Sequence, residues 1–138
     1  MITQEFNINL VPGGVPPQVY ASQYDDGSRM FVAHVFNDKV RFKLDNSYTI
    51  VVCGTKPNDK GFRIQATVAD GAVCFPSDSI MTTHAGNVRC SLEISKGGEV
   101  IHTLVFFINV AKAALSNDTE LDQNDDDDDD EEQQSSVE

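Results

Sequence analysis

Residues 11–27 read VPGGVPPQVYASQYDDG, from Val11 to Gly27. Pro12-Gly13-Gly14 and Pro16-Pro17 exclude a helix or a central strand, because proline has no N–H for a ladder and glycine favours turns. Val15, Val19, Tyr20 and Tyr24 are nonetheless apolar enough to lie on a body. The composition predicts an extended edge segment that crosses from one sheet to another and ends in the Asp26-Gly27 turn.

On its N-terminal side, Phe6, Ile8 and Leu10 alternate with Glu5, Asn7 and Asn9, the pattern of a half-buried strand stopped by Pro12. On its C-terminal side, residues 29–36 (RMFVAHVF) are apolar on both faces and predict a central strand. Val40 to Leu44 and Ser47 to Thr55 predict two more strands, and Lys56 to Gly61 a hairpin loop. Phe62, Ile64, Ala66 and Val68 alternate as one strand, and Asp70-Gly71 turns the chain into Ala72 to Phe75. Ser77 to Ala85 is the one plausible helical turn, with Ser77 as its cap. Val88, Cys90, Leu92 and Ile94 alternate up to the Gly97-Gly98 hairpin, and Val100 to Val110 reads as the longest strand. About eight short strands with regular turns and no crossover helix predict an antiparallel sandwich or barrel.

The 138 residues suit one domain. The net charge of −12 is unevenly placed: residues 118–138 hold twelve of the 22 acids and no base, leaving ten acids against ten Lys/Arg in the body. The expected division is a β-sandwich over residues 1–116 and an acidic, disordered tail over 117–138. No run approaches the ~20 apolar residues of a membrane span. Residues 1–5 carry no signal-peptide pattern, so the expected site of synthesis is the cytoplasm. Cys53, Cys74 and Cys90 form no CxxC and read as small buried hydrophobes.

Four stretches together resemble the N-terminal domain of phage baseplate upper proteins and related phage head- or tail-fibre proteins. They are NINLVPGGVPPQVYASQYDDG (Asn7 to Gly27), GTKPNDKGF (Gly54 to Phe62), AGNVRCSLEIS (Ala85 to Ser95) and HTLVFFINVAKAALSNDTEL (His102 to Leu121). The resemblance implies an all-β, immunoglobulin-like β-sandwich that attaches a fibre or adaptor to the virion. It further implies synthesis in the host bacterium and multi-copy or homo-oligomeric assembly with other phage structural proteins of the capsid, tail or baseplate. In such relatives a helical or fibrous shaft follows the sandwich. Here an acidic run follows Leu121, so a head decoration protein, a fibre anchor or a small baseplate adaptor fits better than a complete receptor-binding protein.

Catalytic chemistry finds no foothold in the sequence. His34, His84 and His102 show no HxH or HExxH spacing, and no GxSxG, SxxK or Walker loop is present. The expectation is a non-enzyme with no cofactor and no metal. Six consecutive Asp lack the spaced ligands and glycine turn of an EF-hand loop. They would also repel nucleic acid, and no basic stripe offsets them, so neither nucleic acid nor membrane is an expected partner. Aromatic residues and Arg are enriched at interfaces, which singles out Val15, Pro16, Pro17, Tyr20, Tyr24 and Arg29 as partner-binding candidates. The alternative function is a soluble acidic inhibitor or DNA mimic acting on a host enzyme. It needs carboxylates spread over a folded surface, and these are gathered in one run.

Overall fold

A computed structural model describes residues 1–115 and 120–122. Most of the expected acidic tail, 117–138, lies outside the described residues. The strands are β1 (Ile2–Asn9), β2 (Gln18–Ser22), β3 (Arg29–Asn37), β4 (Val40–Arg41), β5 (Thr49–Thr55), β6 (Gly61–Gln65), β7 (Thr67–Ala69), β8 (Ala72–Pro76), β9 (Gly86–Lys96), β10 (Glu99–His102) and β11 (Phe106–Ala111). One short helix, α1 (Ser79–Thr82), interrupts them. Sheet A has the order β1-β3-β8-β7 with β4 on β3; sheet B has β2-β11-β9-β5-β6 with β10 on β9. The result is an all-β sandwich, with eleven strands among the described residues where about eight were expected.

The sheets are mixed, not wholly antiparallel. β1 pairs β3 in parallel (Ile2 opposite Arg29 through Asn9 opposite Phe36), and β2 pairs β11 in parallel (Gln18 opposite Phe107). Both exceptions come from the crossing segment, which leaves the edge of sheet A after Asn9 and enters the edge of sheet B at Gln18. A chain that changes sheets need not reverse, as a hairpin must.

Other boundaries shift for similar reasons. The alternating run Phe62 to Val68 is split at Ala66, where the chain passes from β6 in sheet B to β7 in sheet A. Val100 to Val110 is broken at residues 103–105. There the Leu104 N–H turns away from β9 and donates to the Asn9 carbonyl of β1 at 2.8 Å. Only Val40–Arg41 of the expected Val40 to Leu44 stretch forms a strand; Phe42 still donates its N–H to the Val35 carbonyl at 2.8 Å, and Leu44 is buried. The helix cap is Asp78, whose carboxylate accepts from the Ile80 N–H at 2.9 Å; Ser77 is buried and accepts from the Arg29 N–H instead. Asp70-Gly71 (φ 52° and 77°) and Gly97-Gly98 (φ 59° and 85°) form the expected left-handed two-residue turns.

The core lies between the sheets. Phe6, Phe31 and Phe75 of sheet A meet Phe106 of sheet B in a connected ring series, with centroids 5.0 Å (Phe6–Phe106), 6.2 Å (Phe106–Phe75) and 5.3 Å (Phe75–Phe31) apart. Ile50, Val52, Val88, Leu92, Ile94 and Ile108 complete it from sheet B. Such tilted ring contacts contribute about 0.5–1.5 kcal/mol per pair beyond the area they bury. β2 and β11 are thereby fixed on a rigid wall, which sets the geometry of the surface described next.

Candidate docking surface

The crossing segment is pinned at its start by Asn9. The Asn9 Oδ1 accepts from the N–H groups of Val11 (3.0 Å) and Asp38 (2.9 Å), while its Nδ2 donates to the Asp38 carbonyl. Gly13 and Gly14 then adopt φ of 97° and 88° with open space beside them, and Val15 stands 90% exposed at the tip. Pro16 is exposed and Pro17 half-buried, where the Pro17 carbonyl accepts from the Phe107 N–H to begin the β2 ladder.

β2 is an edge strand, but its edge is closed at Tyr20 and Ser22. In this parallel pairing the backbone groups of Gln18, Tyr20 and Ser22 face away from β11, since Pro17 and Gln23 bond toward it. Gln4 of β1 pairs its side-chain amide with both the N–H and the carbonyl of Tyr20. Asp25 accepts from the Ser22 N–H (2.8 Å) and donates its own N–H to the Ser22 carbonyl (3.0 Å). Edges so occupied do not template another strand. Recognition at Tyr20 and Ser22 passes through side chains.

Tyr24 and Arg29 sit elsewhere, in a polar knot that ties the Asp26-Gly27 turn to α1. Tyr24 takes φ 72°, its N–H donates to the Thr82 carbonyl (3.0 Å), and Thr82 Oγ1 donates to the Asp25 carbonyl (2.7 Å). Arg29 Nε pairs with the Asp25 carboxylate, and both side chains are about four-fifths buried (22% and 19% exposed). The structure therefore brings Val15, Pro16 and Pro17 onto the segment leading into Tyr20. It places Tyr24 half-buried beside the helix and gives Arg29 an internal partner.

Strand register defines what accompanies Tyr20. Val19, Ala21, Ile108 and Val110 are buried, so Gln18, Tyr20, Phe107 and Asn109 point outward from sheet B. Tyr20, 56% exposed, lies opposite Asn109, which donates to Asn87 Oδ1 at 2.9 Å. One pair along, Gln18, Phe107, Arg89 and Thr55 form a row across four strands. Phe107 is half-buried and Arg89 exposed, with no ion pair among the described residues. Beyond them, Arg63 pairs with Glu93 (2.6 Å), and His102 reaches the same carboxylate (3.3 Å). The Arg63 hydrogen bond holds the Glu93 carboxyl below the usual range. A shallow groove runs over this face beside Arg63, Arg89, Ser91 and Val105, floored by Gly54.

Phe107 and Arg89 escaped the sequence reading. The available signal was the pair Phe106-Phe107: in a strand, neighbours take opposite faces, so one of them had to leave the core. Burial raises the thiol pKa of Cys53 and Cys74 and pushes Cys90 up to about 12, which keeps these thiols protonated at neutral pH. Among the described residues no three His, Cys, Asp or Glu side chains gather as a metal site. The histidines are dispersed: His34 on Glu5, His102 on Glu93, and His84 beside Asn58.

The sequence model of the BppU (baseplate upper protein) N-terminal domain matches residues 3–136. No curated protein matches the chain significantly. The N-terminal domain of phage TP901-1 ORF48 superposes with a TM-score of 0.59 at 16% identity, over 80% of this chain and 100% of that one. At that identity the superposition shows a shared fold. With the family match spanning nearly the whole sequence, the chain belongs to the BppU N-terminal domain family and is a phage structural protein.

Proposed function

We propose that this domain is a non-enzymatic attachment module of the tail baseplate, present in several copies and docked on other phage structural proteins through the outer face of sheet B. Residues 1–116 form the attachment body and 117–138 an acidic appendage to it. The observation that carries this reading is the placement of Tyr20, Phe107 and Arg89 together on a rigid sheet whose neighbouring edge is closed by Gln4 and Asp25. Aromatic and arginine side chains on a stiff support lose little entropy on docking and are the commonest energetic anchors of protein interfaces. Val15, Pro16 and Pro17 extend the contact along the segment leading into β2, and Tyr24 and Arg29 hold the far end of that segment in place.

The test is occupancy on phage particles assembled with Tyr20→Ala, Phe107→Ala or the double variant, alongside melting of each free protein. Each anchor should cost about 2 kcal/mol of attachment with the melting temperature nearly unchanged. Labelling the particles and imaging them separates baseplate from head. Full occupancy by the double variant would place the docking surface elsewhere, and label at the head would refute the baseplate assignment.

A further inference from the structure

Sheet B has a second edge stretch, and it is not closed. The two-residue turn at Gly97-Gly98 makes Lys96 and Glu99 a bonded pair, and the Thr103 N–H donates to the Leu92 carbonyl at 3.0 Å. The backbone groups of Glu99, Ile101 and Thr103 thus face β9, and those of Val100 and His102 face away. Farther along the same side, Leu104 is taken by Asn9 of β1 and Phe107 by Pro17 at the start of β2. Among the described residues no hydrogen bond reaches the N–H or carbonyl of Val100 or His102, and all four residues of β10 are exposed.

Two of the four side chains along this open edge, Val100 and Ile101, are apolar. Val100 is 56% and Ile101 44% exposed. Ile101 lies opposite the core residue Ile94, so it faces the slot where the two sheets part, which Phe42 and Tyr48 also line. Those rings meet edge to face at 5.9 Å, and Lys96 Nζ stands 4.8 Å over Tyr48. The slot's lining carries one cation, Lys96, and one anion, Glu99, so it favours an uncharged occupant.

We propose that the β10 edge accepts an extended, uncharged strand of another virion protein, with apolar and small polar residues alternating, one apolar side chain entering the slot beside Ile101. Strand addition of this kind takes affinity from main-chain bonds and specificity from pockets for alternate side chains. A second copy of this chain is a poorer occupant. Two four-residue edges paired with each other bury far less than the roughly 1,000 Å² that a stable interface needs, whereas a longer strand also covers the slot wall. The inference goes beyond the docking of the Tyr20 face and does not depend on it.

The probe is an acetylated and amidated seven-residue peptide alternating Thr and Val, added to the full chain while backbone amide exchange is followed by NMR. In the free protein the Val100 and His102 amides should exchange rapidly. Millimolar peptide should slow both at least tenfold and leave Ile101, already in the β9 ladder, unchanged. Val100→Pro removes one outward donor and none from that ladder, so it should abolish the slowing with little change in melting. The wild-type exchange result stands whether or not this variant folds. No slowing with peptide would overturn the proposal, as would protection that depends on protein concentration alone, which would mean pairing between copies. Either failure leaves the Tyr20 docking reading intact, because no particle enters the measurement.

Discussion

Gln4 holds both backbone polar groups of Tyr20: the Tyr20 N–H donates to Gln4 Oε1 at 3.0 Å, and Gln4 Nε2 donates to the Tyr20 carbonyl. A side chain from the edge of sheet A therefore closes the edge of sheet B. Gln4→Ala should cost about 1 kcal/mol, the net worth of exposed bonds of this kind. It should also speed amide exchange at Tyr20 and raise self-association at high concentration, because an edge opens. Unchanged exchange at Tyr20 would mean that the edge is covered by something other than Gln4.

Gly54 faces Phe62 across the β5–β6 ladder, and a Cβ added there would stand 2.4 Å from the Phe62 ring and 3.2 Å from Cys90 Sγ. The ring is buried and cannot swing into solvent freely. Gly54→Ala should therefore destabilise by about 1–3 kcal/mol, the usual penalty of overpacking. Adding Phe62→Leu should recover part of that loss in a double-mutant cycle measured by denaturant unfolding. Strict additivity of the two changes would show that the clash is relieved elsewhere.

These particulars mark where the sequence was legible. Pro12 to Pro17 announced a chain that leaves one sheet for another, and Asp70-Gly71 and Gly97-Gly98 announced their turns, because backbone constraints act locally. Strand direction was hidden: β1 and β2 alternate as they would in either a parallel or an antiparallel ladder. The passage between sheets at Ala66 was hidden too, since Phe62 to Val68 keeps one period while its partners change. In the candidate site, Tyr20 could be read as an aromatic residue on an edge segment. Arg29 could not be read as internally committed. That depends on the left-handed turn at Tyr24, which brings the Asp25 carboxylate onto its guanidinium.

Glu93 gives the protein a pH signature. Its carboxyl is held down first by the Arg63 hydrogen bond, with a smaller contribution from His102. A depressed folded-state pKa contributes stability that is fully present above the unfolded value, here 4.5, and is lost as pH falls through the folded value. Glu93→Gln should therefore narrow the difference in denaturation midpoint between pH 6 and pH 3. If wild type and variant lose stability in parallel over that range, the pair does not govern the acid limb.

The thiols should react in a fixed order. Burial raises all three, and Cys90 most, to about 12. At pH 8 iodoacetamide should leave Cys90 unlabelled in the folded chain and modify Cys53 and Cys74 slowly. All three should label after unfolding without reductant, as expected for free cysteines. Mass spectrometry of the digested protein reads each site, and rapid native labelling of Cys90 would show that sheet B opens at Gly54.

A chain ending at Ser116 should fold as well as the full sequence. Among the described residues, every buried core residue lies between Ile8 and Val110. Past that point Ala113 still donates its N–H to Gln23 Oε1 at 3.0 Å, but Leu115 and Leu121 are 53% and 61% exposed. Truncation also removes twelve acids and no base, leaving a body of balanced charge. Charge so concentrated repels itself and offers little apolar surface to bury, so its loss should not weaken the sandwich. The two melting temperatures should agree within a few degrees, equivalent to about 1 kcal/mol or less for a domain of this size. Solubility near neutral pH should fall instead, because the excess charge is gone. A large drop in melting temperature, or loss of cooperative unfolding, would show that residues beyond Ser116 pack on the body and that the boundary of the attachment module lies farther along the chain.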